Sequence, residues 1–408
     1  MNLYGGRWSA IGAAMVAVVA VLSASDVWAQ ANPLLPSTRV FLAGPVSLYP
    51  QIALREAGMD SNVFNDPTNP RSDLTYSLTP RLYVVMPVGN TRFVGTGTGD
   101  FVYFRTYSEQ RSLTMKFDGR YEVTSPGFRP FASLGFVSRG DRDGYEIDRR
   151  VRHTQTIATV GLDHDVTPLT ALTAWASRAW TSYGENEQYL SLLLADQLNH
   201  QTESVAAGVR LRPTPLTTIL ITGGLDRARF TRLPLRDADS MRVASTVALD
   251  TGAAITGDVQ VGYLSFMPAD VAIAKYQGPI ASARLHYALP DVVRIDVDAR
   301  RDVAYSYDPF QPYYLESGGR ITVAQRVFGP LEVLGIGEVR EIRNQRVGGT
   351  SFDGRREVTT SLGGGIGIQI QSQTRFALTY EHTERTSTEP IGRNYERTRV
   401  LGSIIYGL

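Results

Sequence analysis

The chain has no cysteine, so no disulfide staples it and no thiolate is available as a metal ligand or nucleophile. Lysine is almost missing: apart from Lys116 and Lys275, all of the 41 basic side chains are arginine. An excess of either charge is missing too, because 40 acidic residues answer the basic ones and the formal net charge is +1. A nucleic-acid binder would carry a broad cationic surplus, so that class is set aside. The five histidines, His153, His164, His200, His286 and His382, fall in no ligand spacing such as HExxH. No metal and no cofactor is expected. Beyond the first thirty residues no apolar run approaches the roughly 20 residues that a membrane-spanning helix needs. After Pro50 no proline-rich, serine-rich or like-charge tract divides the chain, which predicts one large domain.

The first residues read as an address. Arg7 precedes an apolar run over 11–22, and small residues lead to Ala29, which predicts a secretory signal peptide over 1–29. Residues 30–50 carry Pro33, Pro36, Pro45 and Pro50, and proline suits neither a helix interior nor a central strand. This segment is expected to be an irregular periplasmic lead-in to a domain over 51–408.

What the chain does have is alternation. In SLTMKFDGRYEVT, residues 112–124, Leu113, Met115, Phe117, Tyr121 and Val123 share one side of an extended strand, and Lys116, Asp118, Arg120 and Glu122 share the other. The pattern repeats in paired runs. Tight junctions fall near Gly89-Asn90, Pro126-Gly127, Thr167-Pro168, Thr214-Pro215, Thr251-Gly252, Pro290-Asp291, Gly329-Pro330 and Gln371-Ser372, about 40 residues apart. A β-propeller has that period, but its blades hold four short strands, whereas each period here holds two runs of about 12 to 15 residues. Such runs, tilted by about 40°, span an apolar band of roughly 25 Å. The prediction is an all-β fold: a single antiparallel transmembrane β-barrel of eighteen strands, with sixteen as the alternative, short periplasmic turns and longer extracellular loops. The loops expected outside are 60–72, 139–151, 184–196, 344–355 and 385–393. Aromatics at their bases, Tyr103, Tyr107, Trp180, Tyr183, Phe266, Tyr276, Tyr305, Tyr307, Tyr313 and Tyr314, are read as an interfacial girdle. Pro80 is read as a bulge or bend, and Trp175, Trp180, Leu134 and Phe136 fit the alternation poorly.

The inner face is where function belongs. Its lumen-lining candidates are Lys116, Asp118, Arg120, Glu122, Arg210, Arg212, Arg284, Arg294, Asp296, Asp298, Arg300, Arg320 and Arg326. Rings of arginine and carboxylate either select solutes or pair with each other and hold the wall in register. No catalytic residues are assigned, and the chain is not expected to be an enzyme. His164 between Asp163 and Asp165 is the one imidazole that flanking carboxylates could orient. Gly363-Gly364-Gly365-Ile366-Gly367 lacks the lysine of a phosphate-binding loop and sits inside a strand, so a close backbone approach or a bend in the wall accounts for it better.

DSNVF at 60–64, followed by a polar loop and SDLTYSLTPRL at 72–82, resembles the putative β-barrel porin family of Gram-negative outer membranes. The specific part is short, roughly 52–82, and the rest matches in architecture. The chain's last residues, SIIYGL, depart from the aromatic ending common in such barrels, although Tyr406 supplies a ring nearby. The resemblance implies an outer-membrane location, contact with outer-membrane lipid and the barrel-assembly machinery, and association with exopolysaccharide systems. It supplies no catalytic residues. Neither a plug domain nor a long passenger is expected before the barrel. The first functional reading is a pore for a hydrophilic solute, tied by the resemblance to polysaccharide or oligosaccharide export. Beside it stand a general uptake porin, a non-conducting assembly component of a secretion system and, behind these, an outer-membrane enzyme.

Overall fold

The computed structural model describes residues 41–406 apart from 143, 250–253, 290–291, 351, 372–373 and 390–392. The signal peptide at 1–29, the lead-in up to residue 40, the turns at Thr251-Gly252 and Pro290-Asp291, Ser372 and the chain's last two residues lie outside the described residues. In chain order the strands are β1 (Phe41–Ala43), β2 (Val46–Asp60), β3 (Asp73–Val88), β4 (Thr91–Phe104), β5 (Ser112–Val123), β6 (Phe128–Arg139), β7 (His153–Asp165), β8 (Thr170–Tyr183), β9 (Gln188–Tyr189), β10 (Leu192–Leu193), β11 (His200–Thr214), β12 (Thr217–Phe230), β13 (Ala238–Leu249), β14 (Ile255–Pro268), β15 (Tyr276–Leu289), β16 (Val293–Tyr305), β17 (Tyr313–Phe328), β18 (Leu331–Gln345), β19 (Arg356–Gln371), β20 (Thr374–Ser387) and β21 (Tyr395–Tyr406). One short helix, α1 (Leu194–Leu198), lies between β10 and β11.

Eighteen of these strands form the wall of a closed antiparallel barrel. Each pairs with its chain neighbours, and the seam closes where β21 meets β2, from Ile52 opposite Tyr406 to Asp60 opposite Arg399. Closure leaves the wall no free edge to pair with another chain. β1 folds back on the start of β2, and β9 pairs with β10 outside the wall.

The two-residue period decides which side chains face in. On β5, Leu113, Met115, Phe117 and Tyr121 are exposed outward, while Thr114, Arg120 and Glu122 are buried on the inner face. The same holds round the ring: Val205, Leu225 and Met241 are about half exposed on the outside of β11, β12 and β13. A contiguous apolar belt of this extent needs a cover, and lipid supplies it. Its upper edge is marked by charge. Arg178, Glu203, Arg227 and Asp239 stand opposite one another on the outward faces of β8, β11, β12 and β13, towards the end that carries the longer loops. Below that row the outward positions turn apolar. Strands of 12 to 16 residues exceed what a band of about 25 Å requires, so their loop-side ends rise above it.

Several local expectations are corrected. The wall begins at Val46, not at residue 51, and Pro50 lies within β2 opposite Leu82. Among the described residues the ladder of β2 with β21 begins at Ile52, so Pro50 lies at the end of the seam. Pro80 makes no bulge: pairing of β3 with β4 runs from Leu78 opposite Phe101 to Arg81 opposite Thr98 in one register. The bulge is at Glu56, where both ladders of β2 shift and the backbone is left-handed (φ 53°). Leu134 and Phe136 obey the alternation and face outward; the departures are Phe131 and Trp175, which face in. The girdle holds only in part. Tyr103 stacks on Tyr76 outside (ring centroids 4.9 Å apart), and Trp180 is exposed. Tyr183, Phe266, Tyr276, Tyr305, Tyr307 and Tyr313 instead pack into clusters under the long loops.

The glycine run on β19 is explained by wall geometry. A Cβ on inward Gly365 would lie 2.2 Å from the carbonyl oxygen of Leu378, and one on Gly363 2.6 Å from that of Tyr380. The two backbones approach too closely there for any side chain.

Candidate functional site

The long loop between β6 and β7, residues 140–152, does not stand in solvent. It enters the barrel and crosses to the far wall. Tyr145 donates its hydroxyl to Oε1 of Glu338 over 2.7 Å, and Glu338 is the central residue of β18, half the ring away from the loop's own strands. The Arg340 guanidinium lies 4.3 Å from the Tyr145 ring centroid, a cation–π contact. The loop therefore reaches mid-depth.

Its anchors are polar and buried. Glu146 accepts from Ser306 Oγ (2.6 Å), Asn344 Nδ2 (3.1 Å) and the Tyr307 backbone N–H (3.2 Å), and it pairs with Arg355. Burial pushes its carboxyl above the usual glutamate range, and the nearby Arg355 pulls it back. Asp148 accepts from Asn65 Nδ2 (2.7 Å) and pairs with Arg385 of β20. Arg142 donates to the carbonyl of Val63 (2.7 Å), and burial lowers its pKa to about 10. Glu357, almost fully buried, is shared by Arg355, Arg385 and Arg393. Ile147 and Val151 drive the same loop into an apolar cluster with Tyr183, Tyr189, Leu194 and Leu198. Leaving one of these buried charges without its partner costs about 3–5 kcal/mol, which fixes the loop in one arrangement.

The sequence-derived lumen residues sit on the inner face in separate groups. Lys116 and Asp118 line β5 above Arg120 and Glu122, which pair with each other over 2.9 Å. Arg92 joins Glu122, and Arg210 pairs with Asp163 at 3.0 Å, with Arg212 next along β11. Arg284 faces Asp298 across the β15–β16 ladder. Asp298 reaches Arg340 (3.4 Å), and Arg320 bridges Glu338 and Glu381 (2.8 Å to the latter), making a mid-depth cluster with Glu316 and Arg399. Arg300 is 3.8 Å from Asp302, which also reaches Arg242. Arg294, Asp296 and Arg326 lie near the short-turn end, Arg326 opposite Glu332.

The histidines stay apart. His164 faces outward, whereas Asp163 and Asp165 face in and pair with Arg210 and Arg129, so the expected clasp does not form. His200 Nδ1 bonds the Leu198 carbonyl (2.7 Å) and its ring stacks on Phe230; His153 stacks on Tyr183. His382 Nδ1 meets Thr398 Oγ1 at 3.0 Å on the outer face. His286 meets a carboxylate, Asp296, at 2.7 Å on the inner face. Sequence reasoning missed the loop residues and most of the carboxylates that answer the arginines: Tyr145, Glu146, Asp148, Glu316, Glu332 and Glu338. The one local signal was Ile147 and Val151, apolar residues within an otherwise charged loop.

A profile of the family described as "Putative beta-barrel porin 2" matches residues 42–405. No curated protein matches the chain. Among solved structures, the outer membrane protein opdK from Pseudomonas aeruginosa aligns over 88% of this chain and 98% of its own, with 11% identity and a TM-score of 0.46. P. aeruginosa OccK2 (OpdF) in complex with glucuronate aligns over the same shares, with 11% identity and a TM-score of 0.48. P. aeruginosa OccK3 (OpdO) aligns over 87% of this chain and 94% of its own, with 13% identity and a TM-score of 0.44.

Proposed function

This chain belongs to the Putative beta-barrel porin 2 family, and from that premise we propose that it is a constricted pore for a small hydrophilic solute. Its place is the outer membrane, as the family and the lipid-covered barrel require. The short turns face the periplasm and the long loops the cell exterior, by the asymmetry usual in such barrels.

The observation that carries the reading is the loop crossing from β6–β7 to Glu338 at mid-depth. A barrel of this strand number holds an aqueous lumen, and an arch across it narrows the path and lines it with both signs of charge. Export of a polysaccharide draws on the family resemblance alone, and an arch at mid-depth favours a small solute over a polymer. A non-conducting assembly component would have no use for so many lumen charges held at intermediate exposure.

Reconstitution of the purified, heat-modifiable barrel into planar bilayers tests this. Stepwise conductance is expected; a folded barrel silent at every voltage overturns the pore. Deleting the gene and measuring uptake of small solutes alongside secreted polymer separates uptake from export.

A further inference from the structure

We propose that the short-turn end of the lumen holds an oxyanion-binding site built by Arg294, Arg326 and Arg375 around Glu332. The site deepens the pore reading and rests on it. Arg375 Nε donates to Glu332 Oε2 at 2.9 Å, and Arg294 Nη2 lies 3.7 Å from the same oxygen. Arg326 stands opposite Glu332 in the β17–β18 ladder. Two guanidinium groups thus converge on one carboxylate oxygen, with a third on the neighbouring strand. Arg294 also lies 3.9 Å from Asp296, whose other oxygen is held by His286.

Three features mark this as a site for a ligand and not only as wall pairing. Arg375 Nη2 is buried and has no hydrogen-bond acceptor among the described residues, an arrangement that costs free energy unless an anion supplies one. The floor between Arg375 and Glu332 is Gly367, where a Cβ would come within 3.3 Å of Glu332 Oε2 and 3.5 Å of Arg375 Nη2, so room is kept beside the guanidinium. The site opens to the lumen on one side: Arg294 is 30% exposed, whereas Arg375 and Glu332 behind it are 9% exposed.

Charge supports the same class of ligand. Among the described residues of this cluster, Arg294, Arg326 and Arg375 stand beside two carboxylates, Glu332 and Asp296. On the opposite wall at the same end, Arg92, Arg120, Arg129, Arg210 and Arg212 outnumber Glu122, Asp163 and Asp165 by two, and Arg210 Nη1 is likewise buried without an acceptor among the described residues. Guanidinium forks match the geometry of carboxylate, phosphate and sulfate oxygens alike, so the ligand class is an oxyanion borne by the permeating solute.

The test uses the full chain in planar bilayers, with sulfate, inorganic phosphate or acetate added to one side at a time as blockers of the chloride current. Block is expected from the short-turn side, weakened roughly tenfold in Arg375→Gln and strengthened roughly tenfold in Glu332→Gln, as loss or unmasking of one charge-assisted bond implies. The order of potency among the three anions tells a carboxylate site from a phosphate site. If both variants conduct and remain heat-modifiable but neither shifts the block, the site is rejected and the pore stands. If the parent barrel does not conduct, the pore reading fails, and calorimetric titration of sulfate into the folded barrel decides the site alone: equal affinity in the parent and both variants rejects it.

Discussion

Tyr145 and Glu338 are separated by 193 positions in the chain, yet the tyrosine hydroxyl donates to the carboxylate over 2.7 Å in the middle of the barrel. One end of this bond belongs to a loop and the other to the wall. The width of the path is therefore set by a contact that can be altered without touching the barrel's own ladders.

Replacing Tyr145 by Ala removes the ring from the lumen, and unitary conductance is expected to rise with the fold unchanged. Tyr145→Phe keeps the volume and deletes a bond worth about 1 kcal/mol net. Its mean conductance should match the parent while current noise increases, because the tip is held less firmly. Single-channel recording distinguishes the two. A Tyr145→Ala channel of parental conductance would place the narrowest point elsewhere.

The arch should respond to acid through Glu146. Burial raises its folded-state pKa above that of an exposed glutamate, so the seated loop binds the proton more tightly than a released loop does. Seating is then strongest below the ordinary glutamate range and weakens as pH rises through the raised value. Opening events should become more frequent across that window. Glu146→Gln, which mimics the protonated form, should lose the dependence, since Arg355 keeps Glu357 as a partner. A pH response that persists unchanged in the variant would assign it to another group.

How much of this could be read in advance depends on the range of the forces involved. Alternation in β5 is a local consequence of the two-residue period, so Lys116, Asp118, Arg120 and Glu122 were placed from the sequence. The fate of the loop after β6 is not local. In DRDGYEIDRR Ile147 hints at burial but nothing names the far wall, because the partners Glu338 and Arg385 lie 193 and 237 positions from the residues they bind. Pro50 was misjudged for a related reason: proline argues against a strand on local grounds, whereas its pairing with Leu82 is supplied by the following strand. The same remoteness hid Glu332 and Glu338, each legible as an inward residue on β18 but not as the partner of particular arginines.

The glycines of β19 offer a contrast between close approach and open space. Gly365→Ala forces a Cβ to within 2.2 Å of the Leu378 carbonyl, whereas Gly335 on β18 has nothing within 4 Å of the corresponding position. The first substitution should cost about 1–3 kcal/mol and lower the heat-modifiable fraction. Gly335→Ala should leave it unchanged. Equal behaviour of the two would mean that the wall relaxes freely at β19.

The register of β16 gives the sharpest test of which face lines the lumen. Ile295 and Val297 point outward and Asp296 and Asp298 point inward, because neighbouring positions on a strand cannot share a face. Ile295→Arg sets a charge against lipid at a cost of roughly 2–4 kcal/mol near the bilayer midplane, less towards its edge, and should reduce assembly. Asp296→Asn is expected to fold normally: Arg294 keeps Glu332 at 3.7 Å, so no buried cation loses its last carboxylate. His286 can still share a hydrogen bond with the amide. Migration with and without heating on a gel reads both variants at once. A folded Ile295→Arg beside an unfolded Asp296→Asn would invert the strand, and with it the assignment of every charge on β16 to the lumen.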